Sequence, residues 1–150
     1  MGKRKIDVRV RADASPAALY ALLRDGASWP VWSPIGSFEL RRHGADEPEG
    51  LGAIRVFRTG RVVSVERIAE LVPDRRFSYE LEHGLPIKNY RADVDLDTDG
   101  DGTVIHWHST FDGKAPGIGL FYQFFLGIFI KRCARGLASY VVTERSQPGR

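Results

Sequence analysis

The stretch from Ala115 to Ile130, APGIGLFYQFFLGIFI, carries no charged side chain, and so much contiguous apolar surface has to be withdrawn from water somewhere. It is shorter than the ~20 residues a helix needs to cross a bilayer. A helix packed into a protein interior is therefore the expectation. Beyond it Leu137, Tyr140 and Val141 continue one helical face while Lys131, Arg132, Arg135 and Glu144 take the other, which carries the helix to about Thr143. Such a helix needs a large apolar surface to receive it.

The text between Ser37 and Asp112 supplies that surface. Six runs read as strands, at Ser37–His43, Ala53–Thr59, Arg61–Leu71, Arg76–Leu81, Asn89–Asp97 and Thr103–Phe111. Thr59-Gly60, Pro73-Asp74 and Asp99-Gly100-Asp101-Gly102 are the turn chemistry that joins neighbours closely, so an antiparallel meander is predicted. A seventh strand comes first, where Ile6, Val8, Val10 and Ala12 alternate with Asp7, Arg9 and Arg11. Ser15-Pro16 then starts a helix through Arg24, with Leu19, Leu22 and Leu23 as its stripe and Gly26 at its end. The apolar but proline-broken SWPVWSP is read as a second short helix or turn. The predicted class is α+β, in one domain spanning 1–150.

Composition narrows the function classes. With 22 Lys+Arg against 19 Asp+Glu, spread along the chain, the net charge of +3 gives no concentrated basic footprint, so a nucleic-acid partner is not expected. The one cysteine, Cys133, cannot form an intrachain disulfide and suits a reducing compartment. The start MGKRKIDVRVRAD alternates charge and apolar residue, which is not the pattern of a secretory signal; a cytoplasmic protein is expected. No phosphate-cradling glycine loop, nucleophile elbow or metalloprotease motif is present, and neither a cofactor nor a metal is expected.

Strand, two short helices, six antiparallel strands and a long C-terminal helix is the order of the helix-grip fold. In SPAALYALLRDGASWPVWSP, GLGAIRVF, VERIAEL, RRFSYEL, KNYRADVDL and GTVIHWHSTF the chain resembles the START-like superfamily, in particular its polyketide cyclase/dehydrase and lipid-transport branch. GAIRVF, VERI and KNYRA also look like the plant abscisic-acid receptors. The chain departs from those receptors at their gate, where it has only Arg58-Thr59-Gly60-Arg61, and at their latch, where it has His83-Gly84-Leu85-Pro86. The lysine that grips their ligand falls on Pro30. The resemblance implies a seven-stranded curved antiparallel sheet around the long helix, with a mostly apolar cavity between them.

Strand parity nominates the lining. Ala92 and Val94 share a face with Tyr90, Ser109 and Phe111 share one with Trp107, and Phe77, Tyr79 and Leu81 follow the same rule. Periodicity leaves the next two strands open, since Ile54/Val56 and Val63/Val65 would also make core faces; the resemblance turns Arg55, Phe57 and Thr59, and Ser64, Glu66 and Ile68, inward. Phe121, Tyr122, Phe125 and Phe129 are expected to face the cavity from the helix. Glu66 is the one inward carboxylate, either paired with Arg55 on the adjacent strand or acting as a general acid or base. Tyr79 and Tyr90 are read as packing with a polar tip, or as proton donors.

His106 and His108, with Asp93 and Asp95 on the neighbouring strand, have the opposite parity and are expected to form charge pairs on the convex side. His83 is read as a loop residue near the cavity mouth and Cys133 as a buried thiol. Three functions remain open: a carrier or sensor of a lipid, polyketide or isoprenoid-like molecule; a polyketide aromatase/cyclase or dehydratase using Glu66 or a tyrosine; and lipid exchange through transient contact of the helix with a membrane surface. A monomer and a homodimer are both compatible with the sequence.

Overall fold

The computed structural model describes residues 3–145. Strand β1 (Arg4–Ala12) leads into α1 (Pro16–Arg24), a short 3-10 turn (Gly26–Ser28) and α2 (Trp29–Trp32). Six strands follow, β2 (Ser37–Arg42), β3 (Ile54–Thr59), β4 (Val62–Val72), β5 (Arg76–His83), β6 (Ile87–Asp99) and β7 (Gly102–Gly113), and the chain closes with α3 (Pro116–Arg145). All the pairings are antiparallel, in the order β1-β7-β6-β5-β4-β3-β2. The result is a helix-grip fold of the α+β class, as the element order predicts.

Local chemistry explains the corners. Ser15 Oγ accepts from the Ala18 amide at 3.2 Å, and Pro16 fills the first helical position, where no amide proton is needed. Gly60 (φ 60°), Asp74 (φ 61°) and Gly100 (φ 61°) take the left-handed conformation that tight strand-to-strand turns require. The two tryptophans are anchored by their indole N–H groups, Trp29 to the Leu23 carbonyl at 3.0 Å and Trp32 to Ser28 Oγ at 2.9 Å. The Trp29 ring packs against Phe57, Phe77, Tyr79 and Trp107 at centroid distances of 5.1–6.4 Å.

The long helix packs chiefly on β1 and β7 and stands off from β3, β4 and β5. Leu126, Ile130, Cys133, Ala134, Leu137 and Val141 form its buried stripe. At Gly136 the helix meets α2 so closely that a Cβ would lie 1.8 Å from the Trp32 carbonyl oxygen.

One expectation fails here. The charge-free run is not enclosed, because a single sheet covers only one side of a helix. Leu120, Phe121, Phe124, Phe125 and Ile128 remain 44–71% exposed on its outer side. Phe121, expected to face the cavity, instead sits at 58% exposure, and Phe125 keeps 44% of its surface open.

Candidate functional site

Register settles the faces that periodicity leaves open. Arg55 pairs with Glu66 and Phe57 with Ser64 across β3 and β4, while Tyr79 pairs with Ala92, Ala92 with Ser109 and Val94 with Trp107 across the sheet. Phe57, Phe77, Tyr79, Tyr90, Ala92, Trp107 and Arg55 are all buried on this concave side. Trp107 donates its indole N–H to Tyr79 Oη at 3.3 Å, and the Tyr79 and Tyr90 rings lie 6.3 Å apart. An aromatic floor with a few hydroxyls thus underlies the helix.

Glu66 stands at the edge of that floor. It makes no hydrogen bond or ion pair among the described residues, and it keeps some open surface although it lies deep in the protein. A side chain lining an internal space shows this combination. Desolvation pushes its carboxyl up to about 7, against a smaller opposing pull from the Arg55 charge. Burial also raises the Tyr79 and Tyr90 phenols and the Cys133 thiol, each with a further contribution from the Glu66 charge, so these groups stay protonated at neutral pH.

Arg55 is not the ion partner that the sequence suggests for Glu66. Its guanidinium, 2% exposed, turns instead to Glu49 at 3.5 Å and donates to the Leu23 carbonyl at 3.2 Å. Four aromatic rings surround it, Trp29, Phe38, Phe57 and Phe77, at 5.1–5.8 Å. Its Nε and Nη2 find no acceptor among the described residues. Glu49 lies in the irregular β2–β3 loop, where no periodicity in the sequence assigns a direction, and it also accepts from the Gly26 amide at 2.9 Å.

Where α3 stands off from the sheet, Thr59, Val62, Ser64, Leu85, Phe125, Leu126 and Phe129 enclose a mainly apolar recess of about 110 Å³. Ser64 and Glu66 share a face of β4, so the carboxylate lies one pleat period, ~7 Å, along the strand from the recess. A second opening of about 260 Å³ lies in the wall of the sheet, lined by Glu80, Leu81, Glu82, Asn89 and Tyr90. It forms because pairing of β5 with β6 stops at Glu80 and Arg91, where β6 is bulged and Asn89 takes φ 55°. Tyr122 is half-buried, and His83, expected in a loop, is instead the exposed last residue of β5, paired with Val65 of β4.

The histidines lie on the convex side, each against a carboxylate: His106 Nε2 is 3.1 Å from Asp7, and His108 Nε2 is 2.7 Å from Asp95. Their rings stack at 4.3 Å. Ligand atoms of Asp95, His106 and His108 come within 4.8 Å of one another, a closer approach than the sequence expectation of charge pairs alone. Asp95 is already held by Arg76 in a bidentate pair at 2.6 and 3.0 Å, so a metal ion there would compete with a fixed cation.

Comparison with known proteins agrees with this architecture. Residues 3–142 match the family profile described as polyketide cyclase / dehydrase and lipid transport. A START superfamily protein from Mycobacterium smegmatis superposes with a TM-score of 0.79 at 14% identity, covering 93% of this chain and 98% of that one. Ara h 8.0201 gives 0.75 at 18% identity, covering 95% and 99%. Major latex-like protein 151 from Panax ginseng gives 0.78 at 12% identity, covering 93% and 98%. No curated protein matches by sequence.

Proposed function

The chain belongs to the polyketide cyclase / dehydrase and lipid transport family, and from that premise we propose that it holds a hydrophobic or amphipathic small molecule between α3 and the β3–β5 side of the sheet. The observation that carries this reading is the mainly apolar recess lined by Ser64, Leu85, Phe125 and Phe129 between α3 and the sheet. Pockets for drug-sized ligands usually measure ~300–1,000 Å³, whereas this recess is about 110 Å³. A ligand therefore enters by displacing the Phe125 and Phe129 rings, where the backbone of α3 lies farther from β3 and β4 than from β1 and β7. Apolar contact supplies the affinity, and Glu66, Tyr79 and Tyr90 offer a polar group of the ligand its few hydrogen bonds.

Titration with an apolar fluorescent dye, together with native mass spectrometry of the purified protein, tests the proposal. About one dye per chain should bind, and Ser64→Phe should abolish binding by filling the recess while the fold still melts cooperatively. Unchanged binding in Ser64→Phe, or binding only after partial unfolding, would overturn it.

A second reading has its own support. A carboxyl group near pH 7 beside two phenols suits proton transfer to and from an enolisable ketone, the chemistry of a cyclase or dehydratase. Glu66→Gln separates the two: a carrier keeps apolar binding, and an enzyme loses ~100-fold or more in turnover of a poly-ketone.

A further inference from the structure

Among the described residues nothing covers the outer face of α3. Leu120, Phe121, Phe124, Phe125 and Ile128 fall on one side of the helix, opposite the buried stripe of Leu126, Ile130 and Leu137, and all five are exposed. Continued by one to two turns, that same side carries Lys131, Arg132 and Arg135, also exposed. Between Asp112 and Glu144 no carboxylate occurs. Apolar rings followed by cations along one exposed helical face are the chemistry of a surface that sits in the headgroup region of a negatively charged bilayer.

We propose that this face docks the protein onto anionic phospholipid membranes, with the phenylalanine rings immersed at the interface and Lys131, Arg132 and Arg135 against the lipid phosphates. By length and composition the helix could span a membrane. Its opposite side, however, is committed to β1 and β7, so it lies on the surface. Phe125 belongs both to the docking face and to the recess, and Val62, another lining residue, is also exposed. The mouth of the recess is thereby turned toward the bilayer. Docking stands on the outer face alone and does not depend on the occupant of the recess.

Co-sedimentation of the full chain with vesicles of phosphatidylcholine, alone or mixed with phosphatidylglycerol, tests the proposal. Binding should favour the phosphatidylglycerol vesicles and weaken as salt is raised. Phe121→Asp/Phe124→Asp and Lys131→Glu/Arg132→Glu should each weaken it at least about tenfold. Both pairs lie at exposed positions, and circular dichroism checks their folding; should the aspartates unfold the helix, the charge-reversal pair decides alone. Ser64→Phe should leave vesicle binding unchanged, so a failed pocket and a failed docking face give different results. Absence of vesicle binding overturns the proposal, as does a concentration-dependent dimer in sedimentation analysis that Phe124→Asp dissolves, since the face would then cover a second copy.

Discussion

Arg55 and Glu66 are register partners on adjacent strands, yet they form no ion pair: the guanidinium is drawn 3.5 Å from Glu49 and into a ring of four aromatic faces, and the carboxyl finds no partner among the described residues. The arginine has the better offer on the other side. A planar, weakly hydrated cation gains from aromatic faces as well as from a carboxylate, and Trp29 and Phe77 provide them. The consequence falls on Glu66, whose neutral form becomes the comfortable one.

Glu66 should therefore make stability fall as pH rises. Its folded-state value of about 7 lies above the ordinary 4.5, so the folded protein holds the proton more tightly than the unfolded chain. The favourable contribution is complete below about pH 4.5 and is lost as pH rises through about 7, amounting to about 3 kcal/mol. Glu66→Gln keeps the shape and removes the titration. Urea unfolding of both proteins at several pH values should show the variant gaining on the parent across that window and holding a constant advantage above it. A constant difference from pH 4 to 8 would mean that Glu66 stays solvated in the folded state.

The pair at the centre of the floor makes a second prediction. Trp107 is fully buried and its N–H is met by Tyr79 Oη. Trp107→Ala should cost about 3–5 kcal/mol through the cavity it leaves. Tyr79→Phe keeps the packing but orphans the indole N–H, and should cost about 1–2 kcal/mol. A loss for Tyr79→Phe as large as that for Trp107→Ala would show that the hydrogen bond, and not the packing of the rings, dominates at this pair.

How much of this could be read in the sequence depends on the kind of signal. Strands with polar residues on one face, such as β6 and β7, declare their direction, and Tyr90, Ala92 and Trp107 lie where parity puts them. In β3 both Val56 and Phe57 are buried, so alternation is silent there and only the family resemblance turns Arg55 inward. Glu49 and the bulge at Asn89 come from loop and register geometry, which no period encodes. Phe121 is exposed against its sequence expectation because hydrophobicity reports a need for burial and not the presence of a partner surface.

On the convex face the prediction concerns which charge matters. Arg76 is bonded twice to Asp95 and lies within ion-pair distance of Glu70 and Asp93, whereas His106 contacts only Asp7 among the described ion pairs. Burial raises the Asp95 carboxyl, but the bonds from Arg76 and His108 outweigh it and hold the group low. His106→Ala should therefore change stability by about 0.5 kcal/mol, and Arg76→Ala by about 1–2 kcal/mol. Thermal melts with and without zinc check the alternative use of this cluster. With Arg76 in place the melting temperature should not move, and a zinc-dependent rise that His106→Ala abolishes would mean that the metal displaces the arginine.

The last prediction tests how α3 is seated. Gly136 faces the end of α2, and a Cβ there would stand 1.8 Å from the Trp32 carbonyl oxygen, far inside any permitted contact. The clashing atom is backbone, held by its own short helix and by the buried Trp32 ring, whose N–H is bonded to Ser28. It cannot turn aside as a flexible side chain would. Within a helix alanine is favoured over glycine by about 1 kcal/mol, so on propensity alone Gly136→Ala should stabilise the protein. Steric conflict should win here, since α3 must move off α2 and expose part of the Leu137 and Trp29 packing, with a net loss of about 2–3 kcal/mol. Gly127, where a Cβ would meet nothing within 4 Å, is the matched control; Gly127→Ala should be neutral or stabilising by up to about 1 kcal/mol. Chemical denaturation of the two variants side by side separates propensity from contact, and a stabilised Gly136→Ala would show that α3 does not press on Trp32.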